Sequence, residues 1–411
     1  MVLDTDTYNE VDDQFALAYA LMSPEKLDLK AVYAAPFSSE FFDRQLKSKK
    51  ERVTVPMTSD LKEGLELSYK EIIKIFNMLD RSPDGRVVPG IGRVHEGKGV
   101  PVESDAARDL VKRAMESEDI LYVVAIGEIT NIASAILMEP EIIRKIVVVW
   151  LSGQPMYWPH TLEFNMGQDV LASQLIFDCG VPLVLMPCMT VASHLTTTAA
   201  ELKERLMGRS RIGTYLSDIV ISQLSPQAAD NMLSLFRLTY LQEADDYPDY
   251  PLDDTGFQAM APSRIIWDIS TIGYMVNPRW CPSLLVPAPR LTDDVRWEHD
   301  PRRHKIRVCN FVYRDGIFGD MFENWAKRQN KEPLPLQDLK GRGTEGVLST
   351  LFFCCDCHDK YLNRLSEAQS ADSLATSGTT TPFSTSTNPQ SVNLSAGLTG
   401  SPNVHNDMIG L

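Results

Sequence analysis

A regular alternation of short apolar runs with longer helical patterns constrains the fold of this chain most. The runs have strand length and carry apolar, often β-branched side chains at consecutive positions rather than at every second one. A strand of this kind is buried on both faces, as in parallel sheets covered by helices. The pattern therefore predicts an α/β fold with a mostly parallel central sheet and helices on both faces. Strands are expected at residues 1–3, 29–35, 120–126, 145–151, 182–186 and 305–312.

Helical patterns fill most of the intervals between these strands. Their apolar residues recur three and four positions apart, which places them on one face of a helix. From residue 198 to residue 275 the pattern is largely helical, apart from a proline-containing acidic loop expected at 245–254. The other helices are expected at residues 12–22, 60–79, 105–116, 129–138, 170–179 and 315–328.

The composition changes once, near the end of the chain. Residues 366–411 are rich in Ser, Thr, Asn, Gly and Pro and contain no Lys or Arg, so they bury too little apolar surface to offset their ordering entropy. We predict a main domain over residues 1–340, a helical extension over 341–365 and a disordered tail over 366–411. The Cys-rich stretch 354–358 in the extension is expected to pack as a helix, because no second pair of zinc ligands accompanies it.

Charge and cysteine content exclude several classes of protein. The 411 residues include 55 Asp and Glu against 40 Lys and Arg, a formal net charge of −15. This balance argues against non-specific binding of nucleic acid or acidic membranes, and no apolar run approaches the roughly 20 residues of a membrane span. Seven cysteines are few for this length and odd in number, which disfavours a disulfide scaffold and favours a reducing, cytoplasmic location.

The Asp-rich segment, residues 4–13, follows the first expected strand and holds four Asp and one Glu. In an open parallel sheet, ligands bind beyond the carboxyl ends of the strands. Capping of the following helix explains one or two of these carboxylates. It does not explain five, because like charges so close together repel unless protons or a cation compensate them. A hard divalent cation with oxygen ligands is the natural compensator, although the residues alone leave capping and metal binding both open.

Two known carboxylate patterns fit this segment poorly. An EF-hand loop starting at Asp4 fails, since Tyr8 and Asn9 occupy a ligand position and the required glycine position. A phosphotransferase of the haloacid-dehalogenase type would use Asp4 as nucleophile and Asp6 as general acid. That motif also departs at Tyr8 and has no convincing downstream acidic partner, so this reading is kept as an alternative only.

The Asp-rich segment resembles the opening motif of the inosine-uridine-preferring nucleoside hydrolases, which is a strand, Asp-x-Asp, a short turn, an Asp-Asp pair and an Ala-Leu helix. Here it corresponds to residues 4–6 and 12–17. Three further family motifs follow in the family's order, each beside the expected element, so that the resemblance spans roughly residues 1–286. They are Gly127-Glu128-Ile129-Thr130-Asn131-Ile132-Ala133, Glu163-Phe164-Asn165 with Asp169 after it, and Trp267-Asp268-Ile269-Ser270.

The resemblance implies a nucleoside-hydrolase-like fold and a metal-dependent hydrolysis of the N-glycosidic bond of a ribonucleoside to ribose and free base. By this resemblance a Ca²⁺ ion, with Mg²⁺ as the alternative, is held by Asp6, Asp13, the backbone carbonyl of Thr130 and Asp268. Asp6 would also be the general base that takes a proton from the metal-bound water.

The same resemblance implies that Asp12, Glu163 and Asn165 bind the ribose hydroxyls. Carboxylates near the sugar would stabilise the positive charge of an oxocarbenium-like transition state. The expected partner is a small-molecule nucleoside rather than a nucleic acid or a membrane, and family members are commonly homo-oligomers. A non-catalytic ligand-binding relative of the same fold remains the alternative class.

The chain departs from the family pattern at several positions near the sugar and base. Five residues separate Asp6 from Asp12, where the family usually has three, so Asn9 and Glu10 are candidates to enter the site. Trp267 stands where many members carry a histidine. Because aromatic faces stack on planar rings and favour the larger ones, we expect Trp267 to bind the base and the enzyme to prefer purine ribosides.

A glycine-rich stretch of the family is also resembled around His95, within Val94-His95-Glu96-Gly97. Loops that connect secondary-structure elements generally run over the protein surface. His95 is therefore expected to lie on the surface.

Overall fold

An eight-stranded sheet forms the centre of the computed structural model, which describes residues 1–40, 58–158, 160–224 and 263–328. The loop expected at 245–254, the Cys-rich stretch, the extension and the tail lie outside these residues. The strands of the sheet are β1 (Val2–Thr5), β2 (Ala31–Ala34), β3 (Val87–Pro89), β4 (Leu121–Ala125), β5 (Ile146–Leu151), β6 (Leu183–Met186), β9 (Ser283–Pro287) and β12 (Lys305–Cys309).

The strand order is β3-β2-β1-β4-β5-β6-β12-β9, and every neighbouring pair is parallel except β12 and β9. An antiparallel strand at the edge of an otherwise parallel sheet is a common arrangement. Two antiparallel pairs lie apart from the main sheet. They are β7 (Thr196–Thr198) with β8 (Ser263–Ile265), and β10 (Arg290–Leu291) with β11 (Trp297–Glu298).

Helices connect most of the parallel strands. Several of them begin at a side chain that accepts a hydrogen bond from the first turn, such as Ser104 from the Ala107 N–H at 3.0 Å. The helices are α1 (Asp12–Met22), α2 (Leu61–Met78), α3 (Asp105–Glu116), α4 (Thr130–Met138), α5 (Phe164–Gln168), α6 (Val170–Asp178), α7 (Ala199–Arg205), α8 (Arg211–Gln223), α9 (Ile269–Val276) and α10 (Arg314–Arg328).

The sheet is buried on both faces by two apolar clusters. Alternate residues of a strand point to opposite faces, so that Leu3 and Val124 pack on the side of α1, α2, α9 and α10. Their neighbours Val2 and Val123 pack on the side of α3, α4 and α6. The predicted α/β fold with a mostly parallel, doubly covered sheet is thereby confirmed. Among the described residues, none of the helices is both long and apolar enough to cross a membrane.

The structure corrects several details of the expected elements, and the short strands β7, β10 and β11 and the short helix α5 were also not predicted. The first strand continues through Asp4 and Thr5, so Asp4 is a strand residue and not part of the loop. The strands β3 and β9 were missed, since β3 has three residues and β9 lies between prolines at the sheet edge. The predicted helical region after residue 198 also contains the short strand β8.

Candidate active site

Three buried carboxylates meet at the carboxyl end of the central strands and form what we call the carboxylate centre. Asp12 and Asp13 are the first residues of α1, which follows β1, and Asp268 directly precedes α9. One side-chain oxygen of each lies within 4.8 Å of the other two. The three residues are 3%, 2% and 3% exposed. Two segments about 250 residues apart thus supply one compact set of carboxylate oxygens.

Asp6 lies beside this centre, in the loop between β1 and α1. Its carboxyl group hydrogen-bonds that of Asp13, and Asp13 Oδ1 also accepts from the Thr5 hydroxyl at 2.5 Å. The amide Nδ2 of Asn9 donates to Asp6 Oδ2 at 3.2 Å. The chain also passes very close to Asp6 at Gly127, where a Cβ atom would lie 3.0 Å from Asp6 Cγ. The glycine of the second motif therefore makes room for Asp6.

The electrostatics of these four carboxyl groups favour a bound cation. Burial raises the pKa of each, and the nearby carboxylates raise it further: Asp13 acts on Asp6, and Asp12 acts on both Asp13 and Asp268. The pKa of Asp12 reaches about 7, chiefly through burial. Buried like charges must take up protons or bind a cation. A set of carboxylate oxygens without His or Cys suits a hard divalent cation such as Ca²⁺ or Mg²⁺.

Thr130 begins α4, directly beyond the end of β4. Its hydroxyl oxygen lies 2.6 Å from Asp169 Oδ2 and also close to the Glu128 carboxyl group, and its one proton is donated to one of them at a time. The Thr130 side chain therefore faces a second group of carboxylates, and the ligand role of its backbone carbonyl stays a prediction.

His95 contacts Asp169 of this second group of carboxylates, and the expectation that His95 lies on the surface is wrong. The residue is buried; its backbone N–H donates to Asp169 Oδ2 at 2.9 Å, and its ring Nδ1 lies 2.8 Å from the same oxygen. Its Nε2 lies 3.1 Å from the Ser134 hydroxyl. Burial alone would raise the pKa of Asp169, but hydrogen bonds from His95 and Thr130 outweigh it and hold that pKa below its usual range. His95 thus ties its loop to the segment that carries Asp169.

Glu163 and Asn165 lie at the ends of β4 and β5, where the family resemblance assigns them to the sugar. The Glu163 carboxylate accepts four hydrogen bonds, from the Ser152 hydroxyl and from the N–H groups of Gly153, Asn165 and Met166. Asn165 Nδ2 donates to the carbonyls of Ile126 and Leu151, both at 3.1 Å. Both side chains thus hold the strand ends in place, and their contact with a sugar stays a prediction.

Trp267 and Glu10 flank the carboxylate centre from the two segments that form it. Trp267 is half-buried and packs against the cluster that covers α1 and α9. Glu10 forms an ion pair with Arg264 of β8. Sequence reasoning missed Arg264, because a lone arginine 254 positions from its partner leaves no local pattern.

Asp4 does not suit the nucleophile role of the phosphotransferase alternative. It is fully buried within β1, and its Oδ2 accepts a hydrogen bond from Asn131 Nδ2 at 3.0 Å. Burial raises its pKa to about 8. A nucleophile has to reach its substrate as the ionised form, and both observations oppose this.

Comparison with known proteins reveals one family. The sequence model described as inosine-uridine preferring nucleoside hydrolase matches residues 67–332. The pyrimidine-specific ribonucleoside hydrolase RihA of Salmonella arizonae is 27% identical over 287 residues, covering 68% of this chain and 82% of that protein. Its counterpart in Citrobacter koseri is 28% identical over 276 residues, which cover 66% of this chain and 79% of that protein.

Solved structures show the same fold. A purine-preferring ribonucleoside hydrolase from Gardnerella vaginalis superimposes with a TM-score of 0.56 at 17% identity, covering 80% of this chain and 99% of that one. A plant nucleoside hydrolase superimposes with a TM-score of 0.54 at 17% identity, and the match covers 81% of this chain and 98% of that one. At this level of identity the likeness concerns the fold alone.

Proposed function

The chain belongs to the inosine-uridine preferring nucleoside hydrolase family, whose members hydrolyse N-glycosyl bonds. We propose that it cleaves ribonucleosides to ribose and free base with the help of a divalent cation, and that this cation is Ca²⁺. The observation that carries the proposal is the carboxylate centre, with its three oxygens within 4.8 Å of one another. So costly a set of buried like charges is explained by a cation that it binds.

The proposed ligands are Asp6, Asp13, the backbone carbonyl of Thr130 and Asp268. The contact between the carboxyl groups of Asp6 and Asp13 supports their shared role. Asp12 belongs to the same compact set, so it can serve the cation as well as the sugar. The chemistry that a divalent cation supplies at such a site is a lowered pKa of water and its orientation toward the anomeric carbon.

Asp6 is the proposed general base. It accepts the proton that water loses on attack at the anomeric carbon, while the bond from that carbon to the base nitrogen breaks and the base leaves with the bonding electrons. The Asn9 amide bonds one carboxylate oxygen of Asp6 and so fixes the direction of the other. The leaving base takes up a proton from solvent.

Asp12, Glu163 and Asn165 are the proposed sugar ligands. Three of the four donors on Glu163 bond its Oε2, and only the Asn165 N–H bonds Oε1. Glu163 Oε1 therefore keeps a lone pair that can accept a hydrogen bond from a ribose hydroxyl. On Asn165 the Nδ2 already donates to two carbonyls, so the amide oxygen is the atom that accepts from the sugar.

Trp267 is the proposed contact for the base. Its half-buried position beside Asp268 supports a role at the rim of the carboxylate centre. Stacking on an indole favours the larger ring system and hence purine ribosides. The curated relatives carry the name pyrimidine-specific, which makes inosine, adenosine and uridine the informative substrates to compare.

The proposal is tested by measuring the release of reducing sugar from these nucleosides, with the protein loaded with Ca²⁺ and after its removal by a chelator. We expect release that requires the cation and about one Ca²⁺ per chain. Asp13→Ala should abolish both cation binding and turnover, while circular dichroism shows a folded protein. A folded Asp13→Ala protein with full metal content and turnover would refute the site. Cation binding without hydrolysis of any riboside would favour the non-catalytic alternative.

A further inference from the structure

The ion pair between Glu10 and Arg264 joins the two segments that form the carboxylate centre. Glu10 lies in the loop between Asp6 and Asp12, and Arg264 lies in β8, four residues before Asp268. The Arg264 side chain is 7% exposed and that of Glu10 is 33% exposed. The arginine end of the pair is therefore shielded from water, whereas the glutamate end is partly open to it, so that removing Glu10 changes the environment of a buried charge.

The strand β8, which carries Arg264, is not a strand of the main sheet. Among the described residues it pairs with β7 alone, and Thr197 lies opposite Arg264 in that pair. Asp12 and Asp13, by contrast, extend directly from the central strand β1. Asp268 itself directly precedes α9, whose buried residues pack with α1 in the apolar cluster on one face of the sheet. The ion pair adds a polar connection between the β8 end of this segment and the loop before α1.

The negative charges of the carboxylate centre oppose the close approach of Asp268 to Asp12 and Asp13. The carboxylates of Asp12, Asp13 and Asp268 repel one another when ionised. The backbone N–H of Asp268 donates to the Asp12 carboxylate and offsets part of this repulsion. Arg264 and Glu10 both act electrostatically on Asp12, in opposite directions. The ion pair thus borders the centre at the place where the two segments meet.

We propose that Glu10 and Arg264 act as a clamp, holding Asp268 against Asp12 and Asp13 so that the cation-binding centre is formed before the cation arrives. Both are positioning residues, since they act through the carboxylates and not on the substrate. The clamp rests on the proposed function, because it matters only if the centre binds a cation. It also gives a role to the long loop between Asp6 and Asp12, which supplies Glu10.

The clamp is tested by calorimetric titration of the cation-free protein with Ca²⁺. The variants are Glu10→Gln, Arg264→Met, their combination, and Arg264→Lys, which keeps the charge. We expect each neutral variant to weaken Ca²⁺ binding by about 10- to 100-fold, the range typical of residues that orient metal ligands. The double variant should lose little more than the worse single variant, because the two residues act as a pair. Arg264→Lys should retain most of the affinity.

A matched control is Asp109→Asn, which breaks the partly buried ion pair with Arg113 on α3. It should lower the thermal midpoint and leave Ca²⁺ affinity unchanged, which separates positioning from general stability. Neutral variants that bind Ca²⁺ within about twofold of the unaltered protein, or losses that simply add, would overturn the clamp while the proposed function stands. If the unaltered protein binds no Ca²⁺, the proposed function fails and the clamp fails with it.

Discussion

Replacing Asp268 by Asn should stabilise the cation-free protein and remove most of the stabilisation that Ca²⁺ provides. Asn has the same shape and keeps the backbone N–H that donates to Asp12, so the fold has no reason to change. What disappears is one negative charge from a buried group of like charges. In the proposed cation-bound protein the same charge is a ligand, which is why the two effects have opposite signs.

The magnitude follows from the geometry. Two ionised carboxylates with oxygens 4.8 Å apart repel by about 3.5 kcal/mol at an effective dielectric constant of about 20. Proton uptake relieves part of this repulsion, as the raised pKa of Asp268 requires. A gain of roughly 1–3 kcal/mol in the unfolding free energy is therefore expected at about pH 8. At a Ca²⁺ concentration of about 100 times the Kd, a hundredfold weaker affinity reduces the stabilisation by Ca²⁺ from about 2.7 to about 0.4 kcal/mol.

The assay is thermal unfolding followed by circular dichroism, in a chelator and in excess Ca²⁺. The control is Asp320→Asn, because Asp320 is a shielded carboxylate that bonds Lys26 and the Tyr19 hydroxyl and has no like-charged partner in this group. That variant should unfold at a lower temperature in both media. If Asp268→Asn also unfolds earlier in chelator, and Ca²⁺ raises its midpoint as much as in the unaltered protein, the electrostatic reasoning is wrong.

Four further predictions are open to direct measurement. Gly127→Ala should lower kcat at least about tenfold with little change in midpoint, because its Cβ would lie 3.0 Å from Asp6 Cγ; unchanged kcat would contradict the close approach. The folded pKa of Asp12, about 7, exceeds its ordinary value of 3.8, so the unfolding free energy of the cation-free protein should fall by on the order of 4 kcal/mol as the pH rises from about 4 to 7. Denaturant unfolding at about pH 5 and 8 measures this fall, and greater stability at the higher pH would refute it. Trp267→Ala should lower kcat/KM for inosine more than for uridine, and faster turnover of uridine by the unaltered enzyme would refute the stacking argument. Deleting residues 366–411 should leave the midpoint and turnover nearly unchanged, whereas a clearly lower midpoint would show that the tail docks.

Elements with strong local signals could be predicted from the sequence. The helices Asp12–Met22 and Asp105–Glu116 have the expected bounds, since periodic apolar residues and acidic or hydroxyl residues at the start specify a helix locally. The strands β3 and β9 escaped prediction, because a short segment becomes a strand only through the partner it pairs with. The order of the strands in the sheet could not be predicted either, because it is decided by which strands pair with one another.

The sequence by itself determined the chemical character of the site: carboxylates in an Asp-rich segment, a glycine before Thr130, and an aspartate at the start of a late helix. Only the tertiary structure decided which of these groups meet. It brought Asp268 to Asp12, bonded the buried His95 to Asp169, and paired Glu10 with a residue 254 positions away. Local sequence specifies backbone conformation and periodicity, whereas contacts between distant residues depend on strand order and on how the helices pack over the sheet.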